Sequence, residues 1–540
     1  CNDCNFFYIG KTSRNFNIRV KEHLRYLNNN NYSEFANHIL ETGHYFDINK
    51  EKTILCFLGQ DNPCQARKYN QSSIVCVCNA DYCDEVSKVN PLSSGKYVLY
   101  SSSNEGQRFE KSFGNLVRKT IKPNIPAWSL VDWLNRVSSF AGEDVTYQTI
   151  EGFGGSFTDA AGINLQTLSQ GAQDNFVKSY FSEKGLEYNV GRVPIGGSDF
   201  STHPYAYNMQ PTDDIQLSNF SLTEEDYTLK MIICGKVCGR VKFFLWRRFN
   251  SDIKSREQKV IIFYATFQLP LIQQAIAHAT EDLHILATAW SPPVWMKTNG
   301  EFGGESRLID KYYQTWADYH LRFLQEYKKN NVSIWAISTG NEPSNGIIPI
   351  LAFNSLGWMP SDQARWVAEN LGPTIKHSEF KDIKILALDD QRFSLPWWIE
   401  WNKDTMQYID GVAIHWYWDD LIGPSSLDRT HNAFPDKFLL GTEACVGDKP
   451  WQTEKVELGS WSRAEMYVKD ILEGLNHWYV GWIDWNLALS REGGPNWFNN
   501  FVDAGVIVLP DSDEFLKQPL FYAVGHFSKF IPRDIISFNL

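Results

Sequence analysis

Two glutamates stand where this chain could do chemistry. Glu342 lies in GNEPS (340–344) and Glu443 in GTEAC (441–445), each just past a short apolar run. Two carboxyl groups facing one cleft suit glycoside hydrolysis. One must be protonated to serve the leaving oxygen, and the other must be ionised to attack the anomeric carbon. In the retaining geometry they lie about 5–5.5 Å apart. At that distance each charge raises the proton affinity of the other, which helps keep the acid protonated. Asn341, directly before Glu342, suits a hydrogen bond to the sugar 2-hydroxyl, a contact that strengthens in the transition state. This mechanism needs no metal and no cofactor, and the surrounding sequence offers no metal-ligand set.

Such groups need a frame. Between residues 148 and 490 a short apolar strand is followed by a loop and then a longer amphipathic stretch, again and again. The strands are expected at 149–155, 188–194, 284–290, 333–339, 383–388, 411–416, 438–442 and 481–486. Helical patterns lie between most of them, as at 312–329, 361–371 and 462–477. Eight such alternations predict an α/β fold, a (β/α)8 TIM barrel, in which chemistry sits on the loops after the carboxyl ends of the strands. Those ends carry Arg192 with GGSDF (196–200), Trp290, Asn341 and Glu342, DDQR (389–392), HWY (415–417), Glu443 and DWN (484–486). Loops are polar in any protein, so the two glutamates at the ends of the fourth and seventh strands are the more specific signal.

The chain has 540 residues, 43% hydrophobic and 21% charged, an ordinary globular composition that excludes a disordered or fibrous protein. The length suits three to four domains of roughly 150 residues, or fewer with a barrel. A net charge of −12 argues against nucleic-acid binding as the main activity. The 20 Trp, 24 Tyr and 34 Phe are mostly core by burial habit, yet flat rings also suit a sugar-binding cleft. No apolar run approaches the ~18 residues of a membrane-spanning helix. No leader is visible, and the opening at Cys1 reads as a missing start. Cys64, Cys76, Cys78 and Cys83 crowd together as in a stapled secreted or lumenal segment. Four N-x-Ser sequons, at Asn31, Asn70, Asn219 and Asn331, agree with that compartment.

Three stretches differ from the rest. Residues 1–56, with YIG (8–10), resemble a fragment of the GIY-YIG nuclease domain of retroelements, in which Tyr8 and Arg19 occupy the cleavage positions. An inert fused fragment is the expectation, with a loose zinc set of Cys1, Cys4, His38 and His44 as the alternative. Residues 231–267 hold eight Lys or Arg against two Asp or Glu. They read as an insertion splitting one helical region, or else as a basic patch for anionic lipid. The chain also stops soon after Pro532, without closing strands.

The motifs support a more specific expectation. Residues 61–533, without 231–267, resemble the animal lysosomal acid β-glucosidases of glycoside hydrolase family 30. The resemblance rests on SSIVCVCNADYCD (72–84), GFGGSFTDAAG (152–162), KSYFSEKGLEYNVGRVP (178–194), AWSPPVWMKTNG (289–300), GNEPS, LALDDQR (386–392), AIHWY (413–417), GTEACVG (441–447), GWIDWNLAL (481–489), EGGPNW (492–497) and GHFSKFIP (525–532). It implies glucosylceramide hydrolysis with retention, Glu342 as general acid/base and Glu443 as nucleophile. It also implies glucose contacts at Asp199, Trp290, Asn341, Trp485 and Asn500, Tyr417 against the nucleophile, and Phe353 at the aglycone mouth. Arg192, Asp390 and His415 would orient these groups. It further implies disulfides Cys64–Cys76 and Cys78–Cys83, a free thiol at Cys445, and a lysosomal, membrane-associated lumenal location. The implied partners are an anionic membrane surface, a saposin-type activator and a sorting receptor. A β-sandwich should accompany the barrel, its first strands at 95–100 and 106–110 within a segment 61–147, its last strands missing beyond a start at 526–540. Such a half-sandwich is expected to be aggregation-prone. The alternatives are another family 30 activity, such as a β-xylosidase or β-1,6-glucanase, or an inactive product of a disrupted gene.

Overall fold

A computed structural model describes residues 61–88, 92–115, 147–230, 271–347, 353–401 and 403–535. The nuclease-like fragment with Tyr8, Arg19 and the loose zinc set, the basic segment 231–267 and residues 536–540 lie outside the described residues.

Among the described residues four strands precede the barrel: β1 (Ala66–Lys68), β2 (Ile74–Cys78), β3 (Lys96–Ser101) and β4 (Glu110–Asn115). The barrel strands are β5 (Gly152–Ser156), β6 (Val190–Ile195), β7 (His284–Ala289), β8 (Ala336–Ser338), β9 (Lys384–Gln391), β10 (Gly411–His415), β11 (Phe438–Glu443) and β12 (Tyr479–Asn486). They close in chain order, β12 pairing back onto β5. Each of the eight lies on one of the expected apolar runs. β13 (Leu489–Ser490), β14 (Val506–Leu509) and β15 (Glu514–Lys517) follow.

The period of a strand explains where the polar groups go. Val190, Leu286, Ala336, Leu386, Ala413, Leu440, Val480 and Ile483 form one apolar cluster with a member from each strand β6 to β12, the floor of the barrel interior. Two residues further along, on the same face of the strand, stand Arg192, Thr288, Ser338, His415 and Thr442, all fully buried. The barrel is thus dry at the floor and polar at the carboxyl end.

Helices cover the outside. α1 (Asp159–Gln166) starts at Thr158, whose hydroxyl accepts from the Ala161 amide at 3.1 Å, an N-cap. α2 (Gln170–Phe181), α3 (Leu271–His278) and α4 (Tyr313–Lys329) follow. α4 buries Trp316, Tyr319, His320, Phe323 and Tyr327, the i, i+3, i+4, i+7 stripe of a core-facing helix. α5 (Pro360–Trp366) carries its proline in the first turn, where the missing N–H costs nothing, and runs through a wide turn into α6 (Gly372–Lys376). α7 (Lys403–Met406), α8 (Ser425–Ala433), α9 (Trp461–Asn476) and α10 (Pro519–Ser528) are the other helices among the described residues.

A five-stranded sheet in the order β1-β2-β15-β14-β13 lies against the barrel. Cys64–Cys76 and Cys78–Cys83 are bonded, tying down the middle and the last residue of β2. Val75, Val77, Ile507 and Leu516 join a cluster with Trp290 and Trp485, while Cys76, Cys78, Val506, Val508 and Phe515 join the main core. β13 to β15 were not among the expected strands. β3 and β4 form a separate hairpin. Its second strand starts at Glu110, so the strand expected at 106–110 is instead largely the turn, with Phe109 at φ 48°. α10 extends to Ser528, so residues 526–528 continue a helix rather than beginning sandwich strands.

Barrel closure requires a close approach at Gly154, which pairs with Val190. A methyl carbon there would sit 1.6 Å from the Val190 carbonyl oxygen. Gly154→Ala is expected to cost at least about 3 kcal/mol, because backbone cannot yield as a side chain does. Urea unfolding measures this, and a midpoint within error of wild type would contradict it.

Candidate active site

The site is built on register shifts at the carboxyl rim. Along β9 and β10, Ala413 pairs with Leu388 but Ile414 pairs with Asp390, so Asp389 is an extra residue. Leu388 and Asp389 both take positive φ, 73° and 57°. Between β10 and β11, Thr442 is extra; between β12 and β5, Trp485 is. Such bulges re-aim side chains at barrel rims.

The bulge on β9 turns the Asp389 carboxylate into a fully buried polar layer. It accepts from Arg192 Nη2 at 2.9 Å, Thr288 at 3.0 Å and Thr442 at 2.7 Å, and His415 Nε2 lies 3.1 Å away. Burial alone would raise its pKa, but the Arg192 charge and the His415 hydrogen bond outweigh it and hold the group well below the usual carboxylate range. Burial would likewise strip the proton from His415. Glu443, Asp389 and Glu342 reverse this and push it up to about 10, so the ring is an imidazolium donating from both nitrogens. Arg192 continues from Asp389 to the site, donating to Asn341 Oδ1 at 2.7 Å and to Glu443 Oε2.

Glu443 ends β11 and also accepts the Tyr417 hydroxyl on Oε1 at 2.7 Å. Burial raises its pKa; the His415 and Arg192 cations oppose that, and both of its donors favour the carboxylate. Burial holds the Tyr417 hydroxyl well above its usual range, so it donates rather than ionises. Cys445 is a buried free thiol 3.4 Å from that hydroxyl.

Glu342 sits in a left-handed turn, φ 43°, pinned by its amide on the Asp389 carbonyl at 2.9 Å. Its Oε1 accepts from Gln391 Nε2 at 2.8 Å and faces His415 Nδ1 at 3.0 Å. Its Oε2 accepts from Asn345 Nδ2. Carboxyl oxygens of Glu342 and Glu443 and a ring nitrogen of His415 lie within 4.8 Å of one another. That trio is a poor metal site despite its spacing. Both His415 nitrogens are engaged by carboxylates, and the Arg192 cation already contacts Glu443.

The other expected residues line the same rim. Trp290 and Trp485 stack at 5.3 Å, with the Arg192 guanidinium 4.9 Å and 5.4 Å from their ring centres. Asp199 accepts from Asn496 at 3.0 Å and Asn500 at 3.2 Å. Burial, then the Glu443 charge, pushes it up to about 7. Phe353 is half-buried, its ring 5.9 Å from Phe498. Asp390 points elsewhere, accepting the backbone amides of Ser344 at 3.0 Å and Gln391 at 2.7 Å, and so braces the turn that carries Glu342. Sequence reasoning singled out no role for Asp389, Gln391, Asn345, Thr288, Thr442 or Asn496. Asp389 and Gln391 stood within the DDQR strand end, but alternation cannot reveal a bulge.

Removing only the Asp389 charge, by Asp389→Asn, leaves Arg192 and His415 buried without their shared anion. A loss on the order of 3 kcal/mol is expected in urea unfolding, and an unchanged midpoint would contradict it. The pH dependence follows from signs. His415, raised to about 10, contributes stability present below its unfolded value near 6.5 and lost as pH rises through 10. Asp199 and Asp484, both raised by burial to about 7, bind protons more tightly when folded, so stability also falls as pH rises from about 4 to 7. The melting temperature is expected to be higher at pH 5 than at pH 8. The reverse order would refute this.

Comparisons with known proteins show the family. Residues 150–245 and 258–531 match the glycosyl hydrolase family 30 TIM-barrel domain, and the break falls inside the basic segment. Lysosomal acid glucosylceramidase of Mus musculus is 39% identical over 479 residues, 87% of this chain and 83% of that protein. Putative glucosylceramidase 4 of Caenorhabditis elegans is 38% identical over 484 residues, 88% and 82% of the two chains. The crystal structure of SrfJ from Salmonella typhimurium superimposes with a TM-score of 0.60 at 26% identity, covering 72% of this chain and 77% of that one. Matched across both halves of the barrel and along most of its length, the chain belongs to glycosyl hydrolase family 30.

Proposed function

We propose that the protein is a retaining β-glucosidase that hydrolyses glucosylceramide, with Glu443 as nucleophile and Glu342 as general acid/base. The observation that carries this reading is the approach of the two carboxyl groups to within 4.8 Å. That suits direct attack and leaves no room for the water that an inverting enzyme holds between carboxylates about 6.5–9.5 Å apart. In the first step Glu443 attacks the anomeric carbon while Glu342 protonates the leaving oxygen. In the second, Glu342 takes a proton from water as the water oxygen bonds to the anomeric carbon and the bond to Glu443 breaks, which releases glucose. Arg192 and Tyr417 hold the Glu443 carboxylate for attack. Asn341, its Oδ1 occupied by Arg192, presents its amide N–H groups as donors for the sugar 2-hydroxyl. Trp290 and Trp485 offer flat faces to the sugar, and Asp199 and Asn500 offer polar groups to its hydroxyls.

A lipid aglycone is supported by the rim. Phe393 and Trp397 follow β9, Trp418 and Leu421 follow β10, and Trp451 follows β11. All are exposed, Leu421 at 74% and Trp451 at 68%. Large exposed apolar groups around one opening suit contact with a bilayer rather than with a polar glucan. Among the described residues no helix is long and apolar enough to cross a membrane, so this reading has the enzyme meet an anionic lipid surface from outside. The sequon residues Asn70, Asn219 and Asn331 are exposed, and the two disulfides suit an oxidising lumen. A lysosomal setting, where the name of the mouse relative puts that protein, belongs to the same proposal, as do the activator and sorting receptor expected from the resemblance.

Intact mass after exposure to a β-glucose-configured epoxide tests the mechanism. One covalent adduct is expected in the wild-type chain and none in Glu443→Gln; equal labelling of both would remove Glu443 as nucleophile. Glucosylceramide should be cleaved in preference to xylosides and β-1,6-glucans, and the opposite preference would replace the substrate assignment within the family.

A further inference from the structure

Glu342 has two unequal oxygens. Oε1 is taken by Gln391 Nε2 at 2.8 Å and by the His415 imidazolium at 3.0 Å. Two donors on one oxygen leave little capacity there for a proton, so the transferable proton belongs on Oε2. The described neighbour of Oε2 is the side-chain amide of Asn345. Asn345 is three residues on in the same turn, its own amide closing that turn on the Glu342 carbonyl at 2.9 Å. The turn is further fixed where Asp390 accepts the Ser344 amide, so Asn345 is not a free loop side chain that happens to reach the carboxyl.

An amide suits both states of such a partner. Its N–H donates to the carboxylate, and after a half-turn about its terminal torsion its carbonyl accepts from the protonated acid. As found, the N–H faces Oε2. We propose that Asn345 is a positioning residue for the general acid/base, holding the proton-carrying oxygen of Glu342 and setting the pH at which proton delivery to poor leaving groups fails. The inference rests on Glu342 being the acid/base. It differs from a packing role, because packing would affect every substrate alike, whereas proton delivery matters only where the leaving group needs it.

The test compares wild type, Asn345→Ala and the near-isosteric Asn345→Asp on an alkyl glucoside and on a nitrophenyl glucoside. Melting temperatures are measured alongside. Removing the donor, or adding a like charge, favours the protonated acid. The basic limb of kcat/KM on the alkyl glucoside should therefore move up by about one pH unit in Asn345→Ala and further in Asn345→Asp. On the nitrophenyl glucoside kcat should stay within about twofold, because that leaving group needs little protonation. Unmoved basic limbs in both variants would overturn the proposal, and so would equal losses on both substrates. Should Asn345→Ala not fold, Asn345→Asp alone decides. Glu342→Ala separates this from the underlying assignment. If it fails to lower alkyl-glucoside cleavage far more than nitrophenyl-glucoside cleavage, the acid/base reading itself falls. If it does so while the Asn345 variants keep the wild-type profile, only the role of Asn345 falls.

Discussion

The buried carboxylate of Asp389 is the interaction on which the polar end of the barrel depends. A guanidinium and an imidazolium cannot remain charged in a dry interior without an anion beside them. Asp389 supplies it, with two threonine hydroxyls completing its hydrogen bonds. Because it fixes Arg192 and His415, it also fixes what those two reach: Glu443 and Asn341 through Arg192, and Glu342 through His415. A second layer of aliphatic side chains above the floor could not do this. The register shift on β9 is what admits a charge at the centre of an otherwise regular barrel.

From that centre the environments of the two glutamates diverge. Glu443 receives Arg192 and Tyr417 on separate oxygens, an arrangement that spends both donors on a carboxylate. Glu342 is served unevenly, with two donors on one oxygen and a neutral amide on the other. Under the proposed mechanism this asymmetry separates a group that must stay ionised from one that must gain and lose a proton. Burial and the nearby Glu342 raise the proton affinity of Glu443, and the His415 and Arg192 cations oppose that.

The aromatic side of the site is supported from outside the barrel. Trp290 and Trp485 belong to one apolar cluster with Val75, Val77, Ile507 and Leu516 of the five-stranded sheet. Two short disulfide loops clamp β2, which lies inside that sheet beside β15. Segments near residue 75 and near residue 510 therefore brace the wall against which a sugar ring would lie. This couples the cysteine-rich stretch to the site without any of its residues entering the cleft.

Much of this was legible in the sequence. The eight apolar runs with amphipathic stretches between them sufficed for the barrel, because a parallel strand buried on both faces and a helix buried on one leave distinct periodicities. The two glutamates were legible because they follow strands four and seven, and barrel topology puts such ends on one rim. The disulfide pairing and the contact residues came from resemblance to a family, not from spacing. Three things needed the tertiary structure. Alternation from Leu386 would turn Asp390 inward, and only the pairing of β9 with β10 reveals that Asp389 takes that place. β13 to β15 are too short to announce themselves, and they exist as strands because β2 offers an edge more than 400 residues earlier in the chain. Asn345 reads as one more polar loop residue until the turn at Glu342 folds it back onto the carboxyl. Local pattern determines which segments become strands and helices; which side chain meets which charge depends on register shifts and distant pairings, and those are settled only when the barrel closes.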